Sequence, residues 1–158
     1  MILGGPSGPP FLFHGSILSM KLFIKKIRDE AKIPTRAHHD DAGIDLYACG
    51  EHIVGPHTTA MIPTGTALEI EVGYVGLVWD KSSIGSKSMK TLGGVIDAGY
   101  RGEVTAMVHN LSNESYTFEH GHKVAQMIIQ KVEFPEIVEC EELSDSHRGM
   151  GSFGSTGK

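Results

Sequence analysis

The sequence predicts an all-β fold, a β-sandwich, jelly roll or barrel, and three observations carry that prediction. Period-two alternation and short apolar runs recur along the chain. Long 3.6-residue periodicity is absent. Glycine, proline, asparagine and aspartate interrupt the apolar runs at short intervals, as turns between many short strands require. No helical stretch separates consecutive strands, which excludes a parallel sheet with crossover helices.

Taken in order, Leu22 to Ile27 reads as a strand. Arg28-Asp29-Glu30-Ala31 is the best helix candidate, a single turn. The segment Asp40 to Ala48 reads as a turn entering an apolar strand, with Asp favoured at the turn. Strands are predicted over Thr59 to Ile62, Ala67 to Glu71 and Tyr74 to Trp79, with Pro63-Thr64-Gly65 as the turn between the first two. Val95-Ile96 runs into a tight turn that returns at Val104, which predicts a β-hairpin with glycine where φ is positive. Val104 to Asn110 and Val124 to Val132 complete the set.

Composition bounds the rest. At 158 residues, of which 40% are hydrophobic, the chain is expected to be one domain with a real core. Residues 20–135 form that predicted core. Residues 1–19, rich in Gly and Pro, read as a disordered or extraneous leader, with Met20 as the native start and no basic stretch of a signal peptide. Residues 136–158 read as a flexible C-terminal arm, acidic from Glu136 to Ser146 and then rich in Gly and Ser. A formal charge of −5 argues against a basic nucleic-acid surface, and no run approaches the ~20 apolar residues of a membrane span. Two distant cysteines, Cys49 and Cys140, suggest a reducing cytoplasm and no disulfide framework. The nine histidines show no zinc-ligand spacing.

Five segments offer chemistry. In Asp40 to Ala48, Asp45 lies between Ile44 and Leu46, where an unpaired carboxylate is costly, so it needs a cation or a hydrated metal as partner. Trp79 to Gly85 follows a strand and places a cation, Lys81, beside two hydroxyls, Ser82 and Ser83, groups that converge on phosphate oxygens elsewhere. Gly93 to Val104 holds Asp97 at the inner end of the predicted hairpin, able to orient a water. Tyr100 follows three residues later, able to lay its ring on a ligand. The bland reading, an Asx-turn plus a packed Tyr, stays open. In Gly121 to Ile128, Gln126 must find hydrogen-bond partners if buried. Arg148 to Lys158 has the wrong spacing for a P-loop and no strand or helix around it. It reads as a phosphate-cradling segment with one guanidinium and one aromatic plate, Phe153.

These five segments, in this order, resemble the five motifs of trimeric dUTPases over about three quarters of the chain. Gly-Val-Ile-Asp-Ala-Gly-Tyr-Arg-Gly and Arg-Gly-Met-Gly-Ser-Phe-Gly-Ser-Thr-Gly are the most specific. The resemblance implies a jelly-roll-like sandwich, or distorted barrel, assembled as a homotrimer with shared active sites. It implies dUTP as substrate and Mg2+ as cofactor. It assigns Asp97 to the attacking water and Tyr100 to deoxyribose. The backbone of Gly94, Val95 and Ile96 and the side of Thr91 fall to uracil. Lys81, Ser82, Ser83 and Arg148 fall to the phosphates, Gln126 to the active site, and Phe153, Gly154 and Ser155 to the closing arm. Asp45 matches an acidic position that reaches the metal through water. Lys81 stands where the family usually has Arg, Thr91 where Asn is common, Ser152 where Gly is, and the Lys81–Asp97 connector is about three residues short. A deoxycytidine triphosphate deaminase of the same fold lacks support from a Glu near the predicted base edge, whereas a non-catalytic nucleotide-binding relative stays open on Lys81 and the short connector.

Overall fold

Strand pairing decides the architecture in the computed structural model, which describes residues 20–150. Ten strands and one helical turn run in order: β1 (Phe23–Lys26), β2 (Ile44–Tyr47), β3 (His52–Val54), β4 (Thr59–Glu69), β5 (Tyr74–Trp79), α1 (Ser82–Gly85), β6 (Met89–Thr91), β7 (Val95–Ile96), β8 (Glu103–Asn110), β9 (Tyr116–Phe118) and β10 (Lys123–Lys131). They form two four-stranded sheets, β1-β4-β8-β6 and β2-β10-β5-β7, and a two-stranded ribbon, β3-β9. All the pairings are antiparallel.

Alternation does the sorting. In β8, Val104, Ala106, Val108 and Asn110 are buried while their neighbours are not, so one face lies on the core. Leu46, Ile62, Val104, Val108, Phe118, Val124 and Met127 are fully buried and fill the space between the sheets. Asn110 is also fully buried. Its amide donates to the carbonyls of Val54 and Glu114, and its Oδ1 accepts from Ser112, so the β3 end of the sandwich is pinned without an orphaned polar group.

Three expectations need correction. Thr59 to Glu69 is one strand rather than two, because Pro63-Thr64-Gly65 forms a bulge instead of a turn. Gly65 supplies φ +67°, and Thr64 Oγ1 donates to the Val104 carbonyl at 2.7 Å, keeping the bulged strand tied to β8. The segment from Val95 to Val104 is not a ladder hairpin: β7 pairs with β5, and β8 pairs with β4 and β6, so its arms belong to different sheets. Neither Gly99 nor Gly102 within it has positive φ; Gly93, two residues before it, does. Arg28 to Ala31 makes one turn, closed by Ala31 N–H to Arg28 O, and the helical turn proper lies instead at Ser82–Gly85. Residues 136–150 are exposed and hold no strand, and residues 1–19 and 151–158, with their leader and arm-tip expectations, lie outside the described residues. No helix among the described residues is long and apolar enough to cross a membrane.

Candidate active site

The site builds outward from the middle strands of the second sheet. Asp45 sits in the centre of β2 and is 4% exposed. Its Oδ1 takes Lys81 Nζ at 2.8 Å and its Oδ2 takes Lys123 Nζ at 2.5 Å. Burial pushes this carboxyl up, but the two ammonium groups outweigh burial and hold it below the ordinary carboxylate range. The partner demanded by its apolar strand is therefore a pair of lysines.

Gln126 lies opposite Asp45 on one side and Trp79 on the other. Its Nε2 donates to the Asp80 carbonyl at 2.7 Å, fixing the chain just before Lys81. Gly43 makes room for it: a Cβ there would stand 2.2 Å from Gln126 Oε1. Lys81 is extended and caps α1, so Ser82 and Ser83 occupy the first turn with Ile84 buried as the anchor. Asp80, which no sequence motif singles out, accepts Thr91 N–H on Oδ1 at 2.6 Å and binds Lys90 through Oδ2. Desolvation raises its pKa, and Lys90 and the Thr91 amide more than offset that, leaving it lowered. Thr91 is buried, and its partner ties β6 to the end of β5. Nothing local in sequence marks Asp80 or Lys123, because their partners arrive from other strands.

Two clefts flank β7. Trp79, Asp80, Thr91, Gly94 and Val95 line one of about 270 Å³. Val95, Ile96, Asp97, Tyr100, Met61 and Thr105 line another of about 200 Å³. The structure thus brings Asp97 and Tyr100 to one wall, Thr91 and Gly94 to the other, and Val95 to both. Asp97 is exposed, and no hydrogen bond or ion pair among the described residues engages its carboxylate. Its backbone carbonyl accepts Tyr100 N–H at 3.0 Å, and the Tyr100 hydroxyl donates to the Glu103 carbonyl at 3.1 Å, which sets the ring. β7 is the last strand of its sheet, so its outer backbone edge is not sheet-paired. No hydrogen bond or ion pair among the described residues joins Lys81, Ser82 or Ser83 to Asp97. Arg148 is exposed, while Phe153, Gly154 and Ser155 lie outside the described residues.

A resident, protein-caged metal does not fit this donor set. No group of three or more His, Cys, Asp and Glu among the described residues could hold an ion. A hydrated ion carried on substrate oxygens does fit, since each Asp45 oxygen keeps a second lone pair for a bound water.

Comparison with known proteins identifies the family. The dUTPase family profile matches residues 29–157. A deoxyuridine 5'-triphosphate nucleotidohydrolase of Nautilia profundicola is 42% identical, aligning 88% of this chain with all of that protein. One from Mycolicibacterium gilvum is 37% identical over 89% of this chain and 97% of its own length. Among solved structures, a mutant dUTPase of Staphylococcus bacteriophage 80alpha with dUpNHpp superposes with a TM-score of 0.82 at 31% identity, covering 87% of this chain and 99% of that one. A mutant dUTPase of phage phi11 of S. aureus, described with a structural Mg(II) ion, gives a TM-score of 0.72 at 28% identity, covering 77% and 97%. The chain belongs to the dUTPase family.

Proposed function

We propose that this protein is a dUTP diphosphatase, an enzyme that hydrolyses dUTP to dUMP and pyrophosphate by attack of water on the α-phosphorus. The activity limits uracil incorporation into DNA and supplies dUMP. The observation that carries this reading is the Asp97 carboxylate, exposed and unengaged by any described residue, on the same wall as Tyr100 at the end of an unpaired strand edge.

Each group then has a chemical task. Asp97 accepts a proton from the water as it attacks. The Tyr100 ring, held by its bond to Glu103, packs on deoxyribose where a 2′-hydroxyl has no room. The outer backbone edge from Gly94 to Ile96 supplies donors and acceptors to the uracil edge, with Thr91 behind it. Lys81, Ser82, Ser83 and Arg148 bind phosphate oxygens, and Gln126 keeps the Lys81 segment in place through Asp80. Phe153, Gly154 and Ser155 close the arm over the base and exclude water. Asp45 is the carboxylate that would face a hydrated magnesium ion, and that ion would supply charge neutralisation of the leaving pyrophosphate.

The active protein in this reading is a homotrimer with shared sites. Met61 and Met107 face each other across β4 and β8 and are 65% and 37% exposed, and Val95 nearby is 64% exposed, an apolar surface that other subunits cover. The substrate is a small nucleotide; neither nucleic acid nor membrane is a partner, and the compartment is the cytoplasm.

The test is pyrophosphate release from dUTP, dCTP, dTTP and UTP, with and without magnesium. Turnover of dUTP alone is expected, with discrimination of up to ~10⁴-fold where an unpaired polar group is left at the base edge. Ammonia from dCTP, or binding without turnover, would replace this reading with a deaminase or a nucleotide sensor.

A further inference from the structure

We infer that Lys123 is a positioning residue of the phosphate site: by neutralising Asp45 it leaves the charge of Lys81 available to the triphosphate. The inference rests on the phosphate-binding role proposed for Lys81.

The charge balance makes the case. One buried carboxylate faces two ammonium groups, one on each oxygen. With Lys81 alone the pair would be neutral and would present little field to an anion. With both lysines the cluster carries a net positive charge, and Lys81, not Lys123, stands at the start of the Ser82-Ser83 turn. Lys81 can then trade Asp45 Oδ1 for a phosphate oxygen while Oδ2 keeps its partner. Without Lys123 that exchange would leave a bare carboxylate at 4% exposure, which is unfavourable.

The fold is shaped for this. Lys123 pairs with Tyr47, two residues from Asp45 and on the same face of β2. The register of β10 then slips between Lys123 and Ala125. Val124 is the extra residue, so Lys123 and Ala125 stand opposite the consecutive residues Tyr47 and Leu46, and such irregularities re-aim side chains. Lys123 is 39% exposed at its side chain, so its replacement disturbs little packing.

Calorimetric titration of the full-length protein tests the inference. Inorganic tripolyphosphate and dUpNHpp probe the phosphate site, and deoxyuridine, which has no phosphate, probes the base site. Lys123→Met is expected to weaken tripolyphosphate and dUpNHpp by about tenfold, the scale of one charge-assisted contact. It should leave deoxyuridine binding unchanged, and Lys123→Arg should restore the loss. If the methionine variant does not fold, Lys123→Gln is read the same way. Unchanged tripolyphosphate affinity, or an equal loss for deoxyuridine, overturns the inference. Failure of the proposed reaction is separate: wild-type protein that binds tripolyphosphate yet leaves dUTP intact sinks the reaction and still lets the variants decide on Lys123. Wild-type protein that binds no tripolyphosphate sinks both.

Discussion

At the residue scale, Gly65 and Asp97 represent two kinds of constraint. Gly65 has φ +67°, and a Cβ there would stand 2.6 Å from Ala31 Cβ and 2.8 Å from Cys49 Sγ. Gly65→Ala adds left-handed backbone strain to overpacking, so it is expected to destabilise the fold by about 2–4 kcal/mol. Thermal denaturation reads this directly, and a melting temperature equal to wild type would contradict the geometry. Asp97 is the opposite case, a carboxylate that no described residue uses. Asp97→Asn keeps the shape and removes the base. Its kcat for dUTP is expected to fall by ~10²–10⁴-fold, with binding of dUpNHpp nearly unchanged and melting temperature preserved. Normal turnover by that variant would remove Asp97 from the mechanism.

At the scale of elements, the chain was most legible where a strand is long and one-sided. Tyr74–Trp79 is read from end to end, and the strands ending at Asn110 and near Lys131 are placed within one residue. Pro63-Thr64-Gly65 misled because turn residues also build bulges, and only the register across to β8 distinguishes the two. β3, β6 and β9 have three residues each, too few for a period to emerge. Sequence alone also joined β7 to β8, since adjacency along the chain suggests pairing that the sandwich gives to β5 instead. The site obeyed the same rule. The need of Asp45 for a partner was legible from its apolar neighbours, but Lys123 as the second partner required the β2–β10 register. Asp80 shows what such a link does, since it joins the end of β5 to β6. Its native pKa is depressed, so its stabilisation is complete above the ordinary value of 3.8 and is lost as pH falls below that through the native value. Melting temperature should therefore drop as pH falls below about 3.8, and Asp80→Asn should reduce that drop while lowering the plateau at neutral pH. An identical pH profile in the variant would show that the Asp80 links contribute nothing.

At the scale of the whole molecule, folding and catalysis divide along the chain. Among the described residues, every buried apolar one lies between Ala31 and Met127, and β10 ends at Lys131. Residues 133–150 are exposed and without strands, yet they carry Ile137, Val138 and Leu143 at 96%, 70% and 88% exposure. Such residues gain only by lying on another surface, which a neighbouring subunit would provide in the proposed trimer. The last eleven residues, by contrast, contribute Arg148 and the glycine-rich stretch around Phe153, groups suited to an anion and a flat base. Truncation before Arg148 therefore spares every described buried residue and leaves Ile137 to Leu143 in place. Light scattering should report the same trimeric mass for truncated and full-length protein, with melting temperature little changed. The kcat for dUTP should fall by at least ~10²-fold, since a charged phosphate contact and the exclusion of water are lost together. A truncated protein that stays fully active would show that the site closes without its arm. One that dissociates into monomers would show instead that the arm holds the assembly together.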